Sequence, residues 1–320
     1  MYETVTTVAL TTGSNGKKGC TSKCKGCYLG VYSSQKPMYQ GNIKQIYELV
    51  DLLPNLNLVI IMGNPDPSVD TTFCNDTARY LQSRGIEVIF NTSGFGGLAT
   101  TKKLLQELDP KMVRHMDYSV DSLDSNISKQ LKGVEIPLSG IVEALEYCNS
   151  LGIPTRIKPT IWPVNKGEDW LAFKKFFIGH NVSKISFHFG SIEGVNANIM
   201  HVGEKDMIKI RNEIMHYKIG TIPYLLLNDC EYQEYIDNFT PYCQRATRPL
   251  IVYLESDGIK VTSSCQVSSC MSPSDHIFDI NKKIISPLDK KDACPIAYKS
   301  LGYESKTLHH VCRFYKYKPV

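Results

Sequence analysis

The chain has 320 residues, 42% hydrophobic and 21% charged, with a net charge of +4. That is the composition of a globular protein with a large core, long enough for one big domain and a smaller appendage. It carries no Lys/Arg block of the kind that tracks a phosphate backbone, because Lys282-Lys283 and Lys290-Lys291 are split by a mostly apolar stretch, so nucleic acid binding is unsupported. No apolar run approaches a membrane span.

The opening Met1-Tyr2-Glu3-Thr4-Val5 lacks a basic region followed by an apolar one, so the protein is expected in the cytoplasm. In that compartment its eleven cysteines read as metal ligands or catalytic thiols rather than a disulfide framework.

From the first residues to Asp229 the sequence alternates β-branched or apolar runs with amphipathic segments, the pattern of repeated βα units around a parallel sheet. Val5 to Leu10 is the first strand. A helix is predicted over Asn42–Leu53, where Ile43, Ile46, Tyr47 and Val50 share a face, and Leu58–Met62 is a buried strand. A helix from Thr72 stops at Gly85 before a strand at Glu87–Phe90. Then follow a helix over Lys102–Leu108, a strand over Val113–Val120 and a helix over Ser139–Leu151 closed by Gly152. The series continues with Thr155–Ile161 (strand), Asp169–Ile178 (helix), Lys184–Phe189 (strand), Lys205–Tyr217 (helix) and Thr221–Leu227 (strand). Right-handed crossovers would wrap these units into a partial (β/α) barrel.

After residue 229 the pattern changes, and Cys230, Cys243, Cys265, Cys270, Cys294 and Cys312 fall in the last third. The expected division is a barrel over 1–229 and a small α+β module over 230–320. Within the second part, Pro249 to Thr262 reads as a hairpin around Asp257-Gly258, which would bring cysteines before and after it together.

Between the first strand and the first helix lies Gly19-Cys20-Thr21-Ser22-Lys23-Cys24-Lys25-Gly26-Cys27-Tyr28. Its three soft thiolates are too close for a relaxed disulfide pair and one ligand short of a closed tetrahedral site. A [4Fe-4S] cluster with three protein ligands and one open iron fits this spacing better than zinc or unligated thiols.

The run resembles the signature of the radical S-adenosylmethionine enzymes, with Cys20, Cys24 and Cys27 matching it position by position. Gly26 stands where many members have an aromatic residue, and Tyr28 follows the third cysteine. The resemblance implies that S-adenosylmethionine chelates the open iron, receives an electron from a flavodoxin- or ferredoxin-type reductant, and yields a radical that takes a hydrogen atom from substrate. It also implies a cofactor site at the strand ends. Gly63, Asn64, Pro65 and Asp66 stand where relatives bind the methionine amino group. Asn91 begins a run similar to a Thr-Asn-Gly position, and Ser119, Asp121 and Ser122 resemble a Ser-x-Asp region. Lys132-Gly133 replaces Arg-Gly, and since a point charge cannot clamp a carboxylate bidentately, Arg156 becomes the carboxylate candidate.

Alternation supports a polar cavity. Asp117, Ser119 and Asp121 share one face of their strand, opposite Met116, Tyr118 and Val120, while Arg156 and Lys158 share a face of theirs. A fully packed barrel would be lined with Val, Ile and Leu. His188 reads as a hydrogen-bonded core histidine, with substrate contact as the alternative. Cys74, Cys148, Trp162 and Trp170 read as packing residues.

The C-terminal cysteines are similar to the twitch and SPASM extensions of the same enzymes. Cys243, Gly258 and Cys265 match the opening pattern, and Cys294 and Cys312 the closing one. One auxiliary [4Fe-4S] cluster is implied, with four ligands from Cys243, Cys265, Cys270, Cys294 and Cys312. Cys230, at the end of a barrel-like run, is a candidate hydrogen-atom donor, with packing or ligation of the auxiliary cluster as the alternatives.

The implied substrate is a peptide natural-product precursor, to be cross-linked, epimerised or dehydrogenated. Against the peptide, the barrel begins almost at Met1, which leaves no room for an N-terminal leader-binding domain; a separate leader-binding protein is the expected partner if the substrate is a peptide. A small polar metabolite such as an amino sugar suits Asp117, Asp121, Arg156 and Lys158 equally well, and a non-catalytic iron-sulfur electron carrier is the reading of another class.

Overall fold

The computed structural model describes residues 7–11, 20, 22–25, 42–62, 66–189 and 202–221, and the strands at 249–255, 258–263, 278–279 and 284–285. The parallel heart of the fold is β1 (Thr7–Thr11), β2 (Leu58–Met62), β3 (Glu87–Thr92), β4 (Val113–Tyr118), β5 (Thr155–Ile157) and, past β6 (Thr160–Ile161), β7 (Lys184–Ile185). These strands pair in the order β1-β2-β3-β4-β5-β7, while β6 pairs with β8 (His188–Phe189). The expected α/β partial barrel is what the chain forms. Two runs anticipated as single strands are each divided, Thr155–Ile161 at Lys158-Pro159 and Lys184–Phe189 at Ser186-Phe187. Pro159 cannot donate to a ladder, and pairing resumes when His188 N–H donates to its carbonyl at 2.9 Å.

Helices α1 (Ile43–Leu52), α2 (Thr71–Ser83), α3 (Gly97–Leu105), α4 (Ser125–Lys132), α5 (Leu138–Ser150), α6 (Trp170–Gly179) and α7 (Glu204–His216) connect the strands. Their starts are written in side chains. Asn42 and Gln45 form a capping box on α1, and Asp70, Asp124 and Asp169 accept from the first-turn amides of α2, α4 and α6. α3 begins and ends earlier than the sequence suggested. Gly96, in the left-handed region at φ 80°, turns the chain into the helix, and Glu107 at φ 59° lies beyond its end. A side chain on Gly97 would meet the Gly140 backbone oxygen at 2.9 Å, which is how closely α3 and α5 pack.

One face of the sheet is sealed against these helices: Val8, Leu10, Val59, Ile61, Val88, Phe90, Met116, Tyr118, Ile157 and Ile185 join Leu49, Ala78, Leu104 and Leu145 in one core. Trp170, Phe173, Phe177 and Phe187 pack edge to face within it, and Cys74 and Cys148 are fully buried there, as packing residues should be. The opposite face lines the concave side. In register along it run Asn91, Asp117, Arg156 and Lys184 on β3, β4, β5 and β7.

The anticipated hairpin forms from β9 (Pro249–Glu255) and β10 (Gly258–Ser263), with Glu255 opposite Gly258. It extends the barrel's own sheet, since β9 runs parallel to β1 with Thr7 opposite Pro249. The short β11 (Phe278–Asp279) and β12 (Ile284–Ile285) continue it antiparallel. Among the described residues no helix is long and apolar enough to cross a membrane.

Candidate active site at the carboxyl ends of the strands

Cys20 and Cys24 lie beyond the carboxyl end of β1, each half-buried. The loop that carries them is fastened to the end of α4. Lys23 N–H donates to the Lys132 carbonyl at 2.8 Å and Lys25 N–H to the Leu131 carbonyl at 3.0 Å, so the loop satisfies oxygens that a helix terminus leaves without partners. Gly133 makes the seat possible. It sits at φ +70°, and a Cβ there would lie 2.8 Å from the Lys23 oxygen and 3.0 Å from the Lys23 Cβ.

The Lys132 side chain runs back under this seat. Its ammonium lies 2.9 Å from Asp121 Oδ2 and donates to Ser119 Oγ at 2.7 Å, with both Lys132 and Asp121 almost fully buried. Burial opposes its charge, but Asp121, Cys24 and Asp66 outweigh that and raise it above the usual lysine range. Asp121 Oδ1 accepts from Thr160 N–H at 2.8 Å, tying β4's end to β6.

Asp66 is a brace. Its Oδ1 accepts from Thr92 Oγ1 at 2.7 Å and from Ser68 N–H at 2.9 Å, and its Oδ2 from Ser93 N–H at 2.5 Å, which fixes the loop after β3. Ser122 donates to Glu168 Oε2 at 2.5 Å, and Glu168 Oε1 accepts from Leu123 N–H at 3.0 Å, fixing the start of α4. Between these supports lies a small recess, open to solvent, lined by Ser93, Ser119 and Ser122 on one side and by Ile136, Leu138 and Ile141 on the other.

Deeper on the concave face stands a second polar group. Asp117, 2% exposed, accepts from Arg156 Nε at 2.8 Å and Nη2 at 3.0 Å. Lys158 Nζ lies 3.5 Å from the same carboxylate, and His115 Nε2 3.3 Å from it but outside hydrogen-bond alignment. Burial pushes His115 down to about 4, and burial with the Lys158 and Arg156 charges pushes His188 down to about 3, so both are neutral imidazoles at neutral pH. Arg156, the expected carboxylate clamp, therefore has two of its donors on Asp117, in a group apart from Lys132.

Of the anticipated site residues, Cys20, Cys24, Asp66, Ser119, Asp121 and Lys132 gather at the cysteine loop. Ser122 borders the recess, and Asn91 stands in register with Asp117. Cys27, Tyr28, Gly63, Asn64, Pro65, Cys230, Cys243, Cys265, Cys270, Cys294 and Cys312 lie outside the described residues. The sequence reading missed Glu168 and the whole of α4, and took Thr92 and Ser93 only as members of the run that Asn91 begins. Asp124 as N-cap and Gly133 just past the end were the available signals for that helix. His115 was reachable by extending the Asp117-Ser119-Asp121 alternation two residues back.

The donor set suits the iron-sulfur cluster its spacing called for. Cys20 and Cys24 are soft ligands held by a seated loop, Lys132 offsets negative charge beside them, and Ser22 Oγ in the same loop is buried without a hydrogen-bond partner among the described residues.

The family model described as Radical SAM superfamily matches residues 15–177, just over half of the chain. No curated protein sequence matches. Among solved structures, Streptococcus suis SuiB bound to precursor peptide SuiA superposes with a TM-score of 0.57 at 14% identity, covering 81% of this chain and 59% of that one. The same protein bound to S-adenosylmethionine superposes at 0.56 and 15% identity, over 81% of this chain and 58% of that one. The chain thus spans somewhat under two thirds of SuiB's length. Native anSMEcpe with bound AdoMet and Cp18Cys peptide superposes at 0.58 and 14% identity, covering 96% of this chain and 82% of that one. These likenesses establish the fold.

Proposed function

The chain belongs to the radical SAM superfamily, and from that premise we propose that it abstracts a hydrogen atom from a peptide. When bound, the cluster and S-adenosylmethionine supply the reductive cleavage that generates the abstracting radical. Cys20, Cys24 and Cys27 would hold the cluster. The observation that carries the reading is the seating of the cysteine loop on α4 beside the buried Lys132–Asp121–Ser119 group, which couples a soft-ligand loop to a polar site at the strand ends.

In this reading the chain's own residues bind and orient. Ser93 and Ser119 offer hydroxyls to the sugar and polar atoms of the cofactor, while Ile136, Leu138 and Ile141 offer a wall to its base. Lys132 and Asp121 fix the loop and the strand end at one distance. Asp66, through Thr92 and Ser93, holds the third strand's loop in shape, and Gly63, Asn64, Pro65, Asn91 and Tyr28 would complete the cofactor's surroundings.

The peptide substrate is supported by the fold shared with SuiB and anSMEcpe, whose structures hold peptides. A twitch-like module over 230–320 would take one auxiliary [4Fe-4S] cluster on four of Cys243, Cys265, Cys270, Cys294 and Cys312, and Cys230 would return a hydrogen atom to the substrate radical. Electrons would come from a flavodoxin- or ferredoxin-type protein, and a leader peptide would be presented by a separate protein. The test incubates anaerobically reconstituted protein with S-adenosylmethionine, reductant and synthetic peptides deuterated at Cα and Cβ. Deuterium carried into 5′-deoxyadenosine, with a mass change in the peptide, is the expected result. Formation of 5′-deoxyadenosine that every peptide leaves unlabelled, while a small polar metabolite labels it, would replace the peptide with the metabolite.

A further inference from the structure

Two cations and one carboxylate meet on the concave face. Arg156 saturates Asp117 with a two-point contact, and Lys158 stands behind it at 3.5 Å. Asp117 is the sole carboxylate ion-paired with either cation among the described residues. Both imidazoles nearby are neutral, so neither His115 nor His188 changes the balance, and among the described residues one positive charge has no counter-ion of its own. Lys184, in register with Arg156, adds a further cation to the same face.

A buried or half-buried cation without a dedicated anion is costly. Burial lowers Lys158 from the usual lysine range, with Asp117 only partly restoring it and Arg156 lowering it further. Arg156 and Lys158 are nonetheless open enough to be reached, with side chains 26% and 22% exposed.

We propose that Lys158 and Arg156 form a subsite for a carboxylate of the substrate, an acidic side chain or the terminal carboxylate of a peptide, entering above the Asp117–Arg156 pair. The cofactor's own carboxylate is a poor occupant. It must stay beside the cysteine loop, and the groups there, Lys132, Asp121, Ser119 and Asp66, form a separate polar set from Asp117, Arg156, Lys158 and His188. A carboxylate spanning Lys158 Nζ and the remaining guanidinium donors would neutralise the excess charge and pin the substrate while a neighbouring carbon faces the cofactor. The identity of the occupant rests on the proposed action on a peptide, whereas the charge imbalance stands without it.

The test is a ligand-observed NMR titration of the full chain, anaerobically reconstituted and saturated with S-adenosylmethionine without reductant, so that the cofactor's carboxylate site is already filled. The probes are N-acetylglutamate α-amide and its neutral isostere N-acetylglutamine α-amide. The acid should bind at least tenfold more tightly than the amide, Lys158→Met should erase the difference, and Lys158→Arg should keep it. Equal binding of the two probes overturns the proposal. So does preserved selectivity in a folded Lys158→Met variant, or acid binding that is seen only in a parallel titration without S-adenosylmethionine, which would assign the site to the cofactor. Cleavage of S-adenosylmethionine on adding reductant is scored separately: its absence beside intact acid selectivity would defeat the radical reading and leave the subsite standing.

Discussion

Gly133→Ala tests the seat of the cysteine loop. The new methyl carbon would lie 2.8 Å from the Lys23 oxygen, and the residue would keep a φ of +70° that an L side chain resists. The left-handed conformation alone costs about 1–2 kcal/mol. The contact adds to this by displacing the loop, which breaks the Lys23–Lys132 and Lys25–Leu131 hydrogen bonds at about 1 kcal/mol each. Gly152 supplies the control, because it has φ +71° and a methyl group there would meet nothing within 4 Å. Gly152→Ala should therefore bear the backbone cost without touching the loop. The assay is the rate at which a ferrous chelator strips iron from anaerobically reconstituted protein, read beside denaturant unfolding. Gly152→Ala should lose only about 1–2 kcal/mol of stability and release iron like the wild type. Gly133→Ala should release iron at least tenfold faster, as roughly 2 kcal/mol of lost seating implies. Equal release by the two variants would refute the idea that Gly133 holds the loop.

Asp121→Asn should leave the Lys132 ammonium buried without its paired carboxylate, at a cost of about 3–5 kcal/mol in urea unfolding. The Asp121→Asn/Lys132→Met double variant should recover most of that loss. Acid should destabilise the fold through His115. Its unfolded imidazole takes up a proton near 6.5 and its buried one near 4, so the unfolded chain binds more protons between those values. On this account stability present above pH 6.5 should fall by about 3 kcal/mol as the pH drops to 4, and His115→Asn should remove that share of the slope in pH-dependent denaturation while the share of His188, lowered to about 3, remains. The Cys20→Ala/Cys24→Ala/Cys27→Ala variant should retain about four iron per chain with a cubane Mössbauer signature if the C-terminal cysteines hold an auxiliary cluster. Loss of all iron would assign those cysteines to structure or to thiol chemistry. Full turnover by Cys230→Ala to the same product would end its role as donor.

The sheet was legible because its strands are written twice, in apolar runs such as Leu58–Met62 and in the alternation that turned Asp117 and Arg156 onto one face. Their mutual contact needed the register of β4 against β5, which no single run contains. α4 escaped because its buried residues are Ser128, Leu131 and Lys132, so apolar periodicity barely marks it. For the same reason the seat of the cysteine loop was invisible: it consists of backbone carbonyls at the end of that helix. Asp66 was noticed as a ligand candidate by its place after β2, but its partners Thr92 and Ser93 lie 26 and 27 residues away. Chemistry carried by side-chain type and spacing, as in Cys20, Cys24 and Cys27, could be read directly, whereas support carried by backbone or by distant hydroxyls could not.

The central claim is tested most directly by quantifying 5′-deoxyadenosine after the anaerobically reconstituted protein is given S-adenosylmethionine and a low-potential reductant. The wild type should form it with methionine in equal amount, and the Cys20→Ala/Cys24→Ala/Cys27→Ala variant should form none. A wild type with its iron fully loaded that leaves S-adenosylmethionine intact would contradict the account, as would a triple variant that still cleaves it.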